Sequence, residues 1–384
     1  MKRWLLACLP LALVHCSDDQ QEPVVCLAVA SDGEDRCLEL ASRPIATDLS
    51  GSVITADVDG DGLEDIVASS GHILWGDGEE TAFGADGPLT ALALGDTDGD
   101  DAVEVLWSEG GSALHRAVLG EDRQWDVEAL DVGVPVVDVA VGDLDGDGLD
   151  DVVVAAQQRV RVLWSDGDGI GARWRDWTEL DVPESAHAHQ LPSPGAFALR
   201  VDVGDFDGDG RLDILFVGRW QAWHLLGNED ESFDAPGDAG LADAQRPWVI
   251  GDFDDDGQQE LFGVFPTIPG RDDRPEIRAV AWLEDPSWTH ALIVLDTPGG
   301  NLAAGRLWSD DSVALAMGYA AQTNRRAMVT LDGWDRGSLR SRVELELELE
   351  PVVLAVANGE LLVADGQGTG RWIDLGNAVS GTTR

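Results

Sequence analysis

Past its first fifteen residues, this chain alternates short apolar runs with acidic, glycine-rich turns, and no stretch holds an apolar stripe at helical spacing. The runs VIT from Val53, LTALAL from Leu89, VVDVAV from Val136 and FALRVDV from Phe197 each lead into such a turn. The runs IVA from Ile66, VLW from Val105, VVVA from Val152, ILFV from Ile214 and LFGV from Leu261 each follow one. β-Branched and aromatic residues dominate them, which suits strands. RVELELELE, Arg342 to Glu350, alternates strictly and predicts an outer strand with leucines inward and glutamates to solvent. The expected class is all-β, built from strand–turn–strand units.

The turns share one pattern: DVDGDGLED from Asp57, DTDGDDAVE from Asp96, DLDGDGLDD from Asp143, DFDGDGRLD from Asp205 and DFDDDGQQE from Asp252, spaced 39, 47, 62 and 47 residues apart. Each carries carboxylates at positions 1, 3, 5 and 9. Calcium takes roughly six to eight oxygens, and acids at alternate positions of a tight loop can converge on one ion. The expected side-chain ligands are Asp57, Asp59, Asp61 and Asp65; Asp96, Asp98, Asp100 and Glu104; Asp143, Asp145, Asp147 and Asp151; Asp205, Asp207, Asp209 and Asp213; and Asp252, Asp254, Asp256 and Glu260. The backbone carbonyl at position 7, from Leu63, Ala102, Leu149, Arg211 or Gln258, is a fifth oxygen. Asp101 stands at position 6 of the second copy, where glycine suits the turn, so a looser loop is expected there. An EF-hand is excluded. It needs glutamate at position 12, and these loops have Ala68, Trp107, Val154, Phe216 and Gly263.

With the segments HILWGDG, RVRVLWSDGDG and WHLLGNED, these loops resemble the FG-GAP/VCBS repeat of integrin α-subunit propellers and of many bacterial secreted proteins, over about residues 46–376. The resemblance implies a β-propeller with calcium on one face and ligand contacts usually on the other. GRLWSDDSVALAM from Gly305 and PVVLAVANGELLVAD from Pro351 continue the series without the full acid set. That makes seven blades of four strands, with six and eight as the neighbouring alternatives. The segment Leu38–Leu49 is expected to complete the last blade and close the ring.

The charge of −48 argues against nucleic acid and against unaided binding to anionic lipid. Lys2, Arg3 and an apolar stretch to His15 read as an export signal, residues 1–15. Leu13–Cys16 resembles a lipoprotein box, with Cys16 as the lipidated residue, although His15 departs from the small residue the box prefers. Leu5–Cys8 matches by residue type but has a very short apolar core, and simple secretion is the alternative. Residues 16–45 form a tether and N-terminal segment, and 377–384 a tail. Cys26 and Cys37 remain as a pair, expected to be a disulfide in an exported chain.

Fifteen tryptophans stand against one tyrosine. Trp75, Trp107 and Trp164 fall at strand ends and read as core; Trp174, Trp177, Trp220 and Trp223 are less regular, and one or two could meet a sugar. The long interval between the third and fourth loops holds His187, His189 and the Arg173–Trp174–Arg175 spot, and residues 170–192 are expected to form part of a ligand surface. No GxSxG, HExxH or phosphate-loop motif occurs. The expectation is a monomeric, non-catalytic, calcium-binding propeller for a protein or glycan. The alternatives are a polysaccharide lyase or a lipid or phosphodiester hydrolase on the same scaffold, and a structural envelope spacer.

Overall fold

The structure, a computed structural model, describes residues 27–28, 42–45, 49 and 51–375, apart from 158, 167–168, 179–180, 182–198, 219–221, 229–231, 240–244, 253–256, 266–275, 283–287, 295–300, 307–312, 320–326, 336–337, 348–350 and 366–369. Among the described residues the chain forms seven antiparallel sheets and one short 3-10 turn. In chain order, the innermost strands are Val53–Ala56, Ala91–Gly95, Asp138–Gly142, Arg200–Gly204, Gln245–Gly251, Asn301–Arg306 and Val353–Ala357. Each sheet then steps outward strand by strand, as hairpins require.

These innermost strands stand side by side around a channel of about 1070 Å³ that all seven line. Between the fourth and fifth sheets, the Gln259 N–H donates to the Asp205 carbonyl at 2.8 Å. The arrangement is a β-propeller. Its core lies between adjacent sheets: Trp75, Phe83 and Trp107 pack between the first and second, and Trp164, Trp177, Phe216 and Trp223 between the third and fourth. Trp75, Trp107 and Trp164 are buried as expected. Trp177 and Trp223 are buried too, so neither is a sugar platform: both stand on strands whose faces meet a neighbouring sheet.

The ring closes as the pattern predicts. Ser42–Ile45 pairs with Gly370–Ile373 as the fourth strand of the seventh sheet. Leu27–Ala28 adds a fifth strand to the sixth sheet, on Leu345 and Glu344 of the alternating strand Ser338–Leu347. Leu345 is buried. Both additions fall within the stretch set aside as tether. In the seventh sheet the acidic loop shrinks to a hairpin turn at Asn358–Gly359, with φ of 53° and 74°.

The described start of the expected insert is strand. Ile170–Thr178 is the outermost strand of the third sheet, paired with Arg159–Ser165. Charge alternating with aromatics on both faces hid it, because neither face reads as plainly apolar in the sequence. Cys16, Cys26, Cys37, Trp220, His187, His189, Asp254 and Asp256 lie outside the described residues.

Candidate metal centres

Every acidic loop joins an innermost strand to the next strand of its sheet, so the loops gather at one end of the ring. A repeated hydrogen-bond scheme folds each one. The N–H at position 6 donates to the position-1 carboxylate in all five: Gly62 to Asp57, Asp101 to Asp96, Gly148 to Asp143, Gly210 to Asp205 and Gly257 to Asp252, at 2.8–3.0 Å. The N–H at position 7 donates to the position-5 carboxylate in the first four, from Leu63, Ala102, Leu149 and Arg211, at 2.8–2.9 Å. Asp101 adopts a φ of 66°, the left-handed conformation that glycine takes at this position elsewhere. The second loop therefore keeps the same turn as its neighbours; aspartate tolerates that region at modest cost.

The acid at position 9 is different in kind. Asp65, Glu104, Asp151 and Asp213 are all buried. Asp65 accepts N–H donors from Val58 and Gly76, Asp151 from Leu144 and Ser165, and Asp213 from Phe206 and Gly227, at 2.7–3.1 Å. In each case one donor is position 2 of the loop and the other lies at or just past the end of the third strand. The carboxylate thus ties the loop to the neighbouring hairpin. Glu104, one methylene longer, takes the N–H and hydroxyl of Thr97 with Oε2.

The loops bring carboxylate oxygens within 4.8 Å of one another in four clusters: Asp57, Asp59 and Asp61; Asp96, Asp98, Asp100 and Glu104; Asp143, Asp145 and Asp151; and Asp205, Asp207 and Asp213. The second cluster unites all four predicted acids. Asp65, Asp147 and Asp209 stand outside theirs. Of the fifth set, only Asp252, Gln258 and Glu260 are described. Asp57 Oδ1, Asp98 Oδ1 and Glu104 Oε1 are buried and accept no hydrogen bond, an arrangement costly without a partner. A convergent, all-oxygen donor set with such oxygens turned inward fits a hard divalent cation.

The same crowding shifts the acids. Burial, and then the neighbouring acids, push Asp151 and Asp213 up to about 7, against the pull of their N–H donors. Burial likewise raises Asp65, Glu104 and Asp207.

Position 8 links neighbouring sheets in three of the five loops, through Glu64, Asp150 and Gln259. Asp150 accepts the Asp96 N–H at 2.9 Å, while its own N–H donates to the Asp96 carbonyl at 2.8 Å. Glu64 exchanges three hydrogen bonds with Asn358, linking the first and seventh sheets.

On the outermost strand of the third sheet, pleating separates the expected spot. Trp174 lies opposite Leu163 on one face, and Arg173 and Arg175 lie opposite Trp164 and Val162 on the other. Trp174 is 55% exposed, with the Arg161 guanidinium 4.2 Å from its ring centroid. Arg161 is buried and held by Asp176 at 2.6 and 2.8 Å and by the Val132 carbonyl at 2.6 Å.

A family model for the FG-GAP-like repeat matches residues 143–216 and 205–263. No curated protein sequence matches the chain. Among solved structures, the chain is similar to a lectin of Agrocybe aegerita described as specifically recognising non-reducing terminal N-acetylglucosamine, at 15% identity and a TM-score of 0.49 over 85% of this chain and 90% of that one. It is also similar to BamB from Moraxella catarrhalis, at 11% identity and a TM-score of 0.44 over 85% and 97%.

Proposed function

We propose that this FG-GAP-repeat β-propeller is an exported, non-catalytic binding module, stiffened by calcium at one end of the ring, that presents a rigid aromatic platform to a glycan. The exposed indole of Trp174 carries the reading. A half-exposed tryptophan costs contact with water, yet Arg161 and Asp176 fix it from beneath. Such a prepaid surface suits the apolar face of a sugar ring, because little entropy is lost on docking. The same strand serves a protein ligand equally well if that ligand supplies the ring. Asp57–Asp61, Asp96–Glu104, Asp143–Asp151 and Asp205–Asp213 hold the ions, with Asp252 and Glu260 contributing to a fifth site.

The reading is tested on a glycan array with the parent and Trp174→Ala. The variant should keep its melting temperature and lose tenfold or more, roughly the 1.4 kcal/mol or above expected of a central aromatic contact. Equal binding by both proteins moves the site away from this strand. Export and tethering rest on Lys2, Arg3 and Cys16. The protein should partition into detergent, and Cys16→Ala should release it; partitioning that survives the substitution rejects the anchor.

A further inference from the structure

We infer that arginines seated on the position-3 carboxylates are resident counter-ions of the metal loops and set how tightly those loops take calcium; the inference rests on the calcium reading above. In the first loop the guanidinium is that of Arg123, which arrives from the second sheet. Its Nη2 lies 2.7 Å from Asp59 Oδ2 and 3.0 Å from Asp77 Oδ2, and its carbon 4.3 Å from the centroid of Trp75. The turn that delivers it is strained: Asp122 and Arg123 in succession adopt φ of 57° and 55°, rare for residues other than glycine.

In the third loop a different route reaches the same end. Arg173, on the outermost strand of that loop's own sheet, pairs with Asp145 and lies 4.5 Å from the centroid of Trp164. Trp75 and Trp164 hold equivalent places, each just before the residue, Gly76 or Ser165, whose N–H caps the position-9 acid. Two unrelated stretches of chain thus build one tryptophan–arginine–aspartate stack. The second loop has the ion pair without the indole: Arg116 Nη1 lies 3.5 Å from Asp98 Oδ2.

The electrostatic consequence has a definite sign. A loop holding only carboxylates attracts the guanidinium strongly. A divalent ion among those carboxylates cancels most of that attraction and repels the arginine. The arginine therefore stabilises the metal-free form more than the loaded one. Stacking on an indole keeps the charge in place. These loops would fill at higher calcium than their acid count alone implies.

Calcium titration calorimetry on the full chain at low ionic strength decides the matter, using Arg123→Met, Arg173→Met and Arg173→Lys. Methionine keeps the apolar cover over the indole and removes the charge; lysine keeps the charge and loses the planar stack. Each methionine variant should bind one calcium about tenfold more tightly, the scale of a unit charge acting on a divalent ion across a single carboxylate in aqueous dielectric. Its metal-free melting temperature should fall while the loaded one holds. Arg173→Lys should titrate like the parent. Methionine variants that bind like the parent or more weakly overturn the inference, as does a lysine variant that gains as much as methionine. A parent protein that takes up no calcium overturns the calcium reading instead. Arg173 is half exposed, so its variant carries the test if Arg123→Met does not fold without metal.

Discussion

Within each of the first four loops, the position-9 acid is buried and the position-5 acid is exposed. Asp213 spends both oxygens on the buried N–H groups of Phe206 and Gly227, whereas Asp209 stands at the exposed rim. Asp213→Ala would strand two buried donors and should cost about 2–4 kcal/mol even without calcium. Asp209→Ala should cost under about 1 kcal/mol in the metal-free protein. Urea unfolding of both variants in metal-free buffer measures the difference, and equal losses would contradict a structural role for position 9. Sequence spacing alone marks all four as equal ligands, because it cannot show which carboxylates converge once the loop is folded. Asp65 is the clearest case. It sits at the predicted position, yet Val58 and Gly76 hold its oxygens, and it stays out of the cluster formed by Asp57, Asp59 and Asp61.

The loop and its two strands form the element that pH acts on. Asp151 and Asp213, pushed up to about 7 by burial, hold a proton in the metal-free fold over a range where an unfolded carboxyl, near 3.9, has lost it. The native state binds more protons between about pH 4 and pH 7, so its stability is highest at the acid end of that window and falls as pH rises through it. Calcium needs these acids ionised, so it should flatten the decline and release protons on binding below about pH 7. Melting curves of metal-free protein from pH 5 to 8 check this; a melting temperature that rises with pH would refute it. At this scale the sequence was most legible, since every acid of a loop lies within nine consecutive residues and hard-cation chemistry demands oxygens at close, regular intervals. What stayed hidden comes from far along the chain: Arg123 reaches Asp59 from 64 residues away, Asp150 reaches Asp96 from 54, and Asn358 reaches Glu64 from 294. No local pattern encodes those meetings, because they exist only once the ring has closed.

Across the whole molecule, the loops gather into a belt at one end of the ring, tied by hydrogen bonds at three of the junctions between sheets. Asp150 holds the backbone of Asp96, Gln259 that of Asp205, and Glu64 the turn at Asn358, so the folding of one loop steadies its neighbour. The belt is also where a chain of charge −48 concentrates its repulsion, which opposes compact folding until cations arrive. Each site filled at a hundred times its dissociation constant adds about 2.7 kcal/mol to the folded state. Several sites together should therefore raise the melting temperature by about 10 °C or more for a domain of this size. Because the ring shares its core between sheets and is sealed by Ser42–Ile45, the loss on chelation should appear as one cooperative transition at lower temperature, with no stepwise release of blades. Magnesium should restore little, since it gives up its waters reluctantly and demands a strict octahedron. Calorimetry with chelator, with excess calcium and with excess magnesium decides the point. A melting curve unchanged by chelator would remove calcium from the account of this fold, and separate transitions for separate blades would show that the loops do not act as one belt.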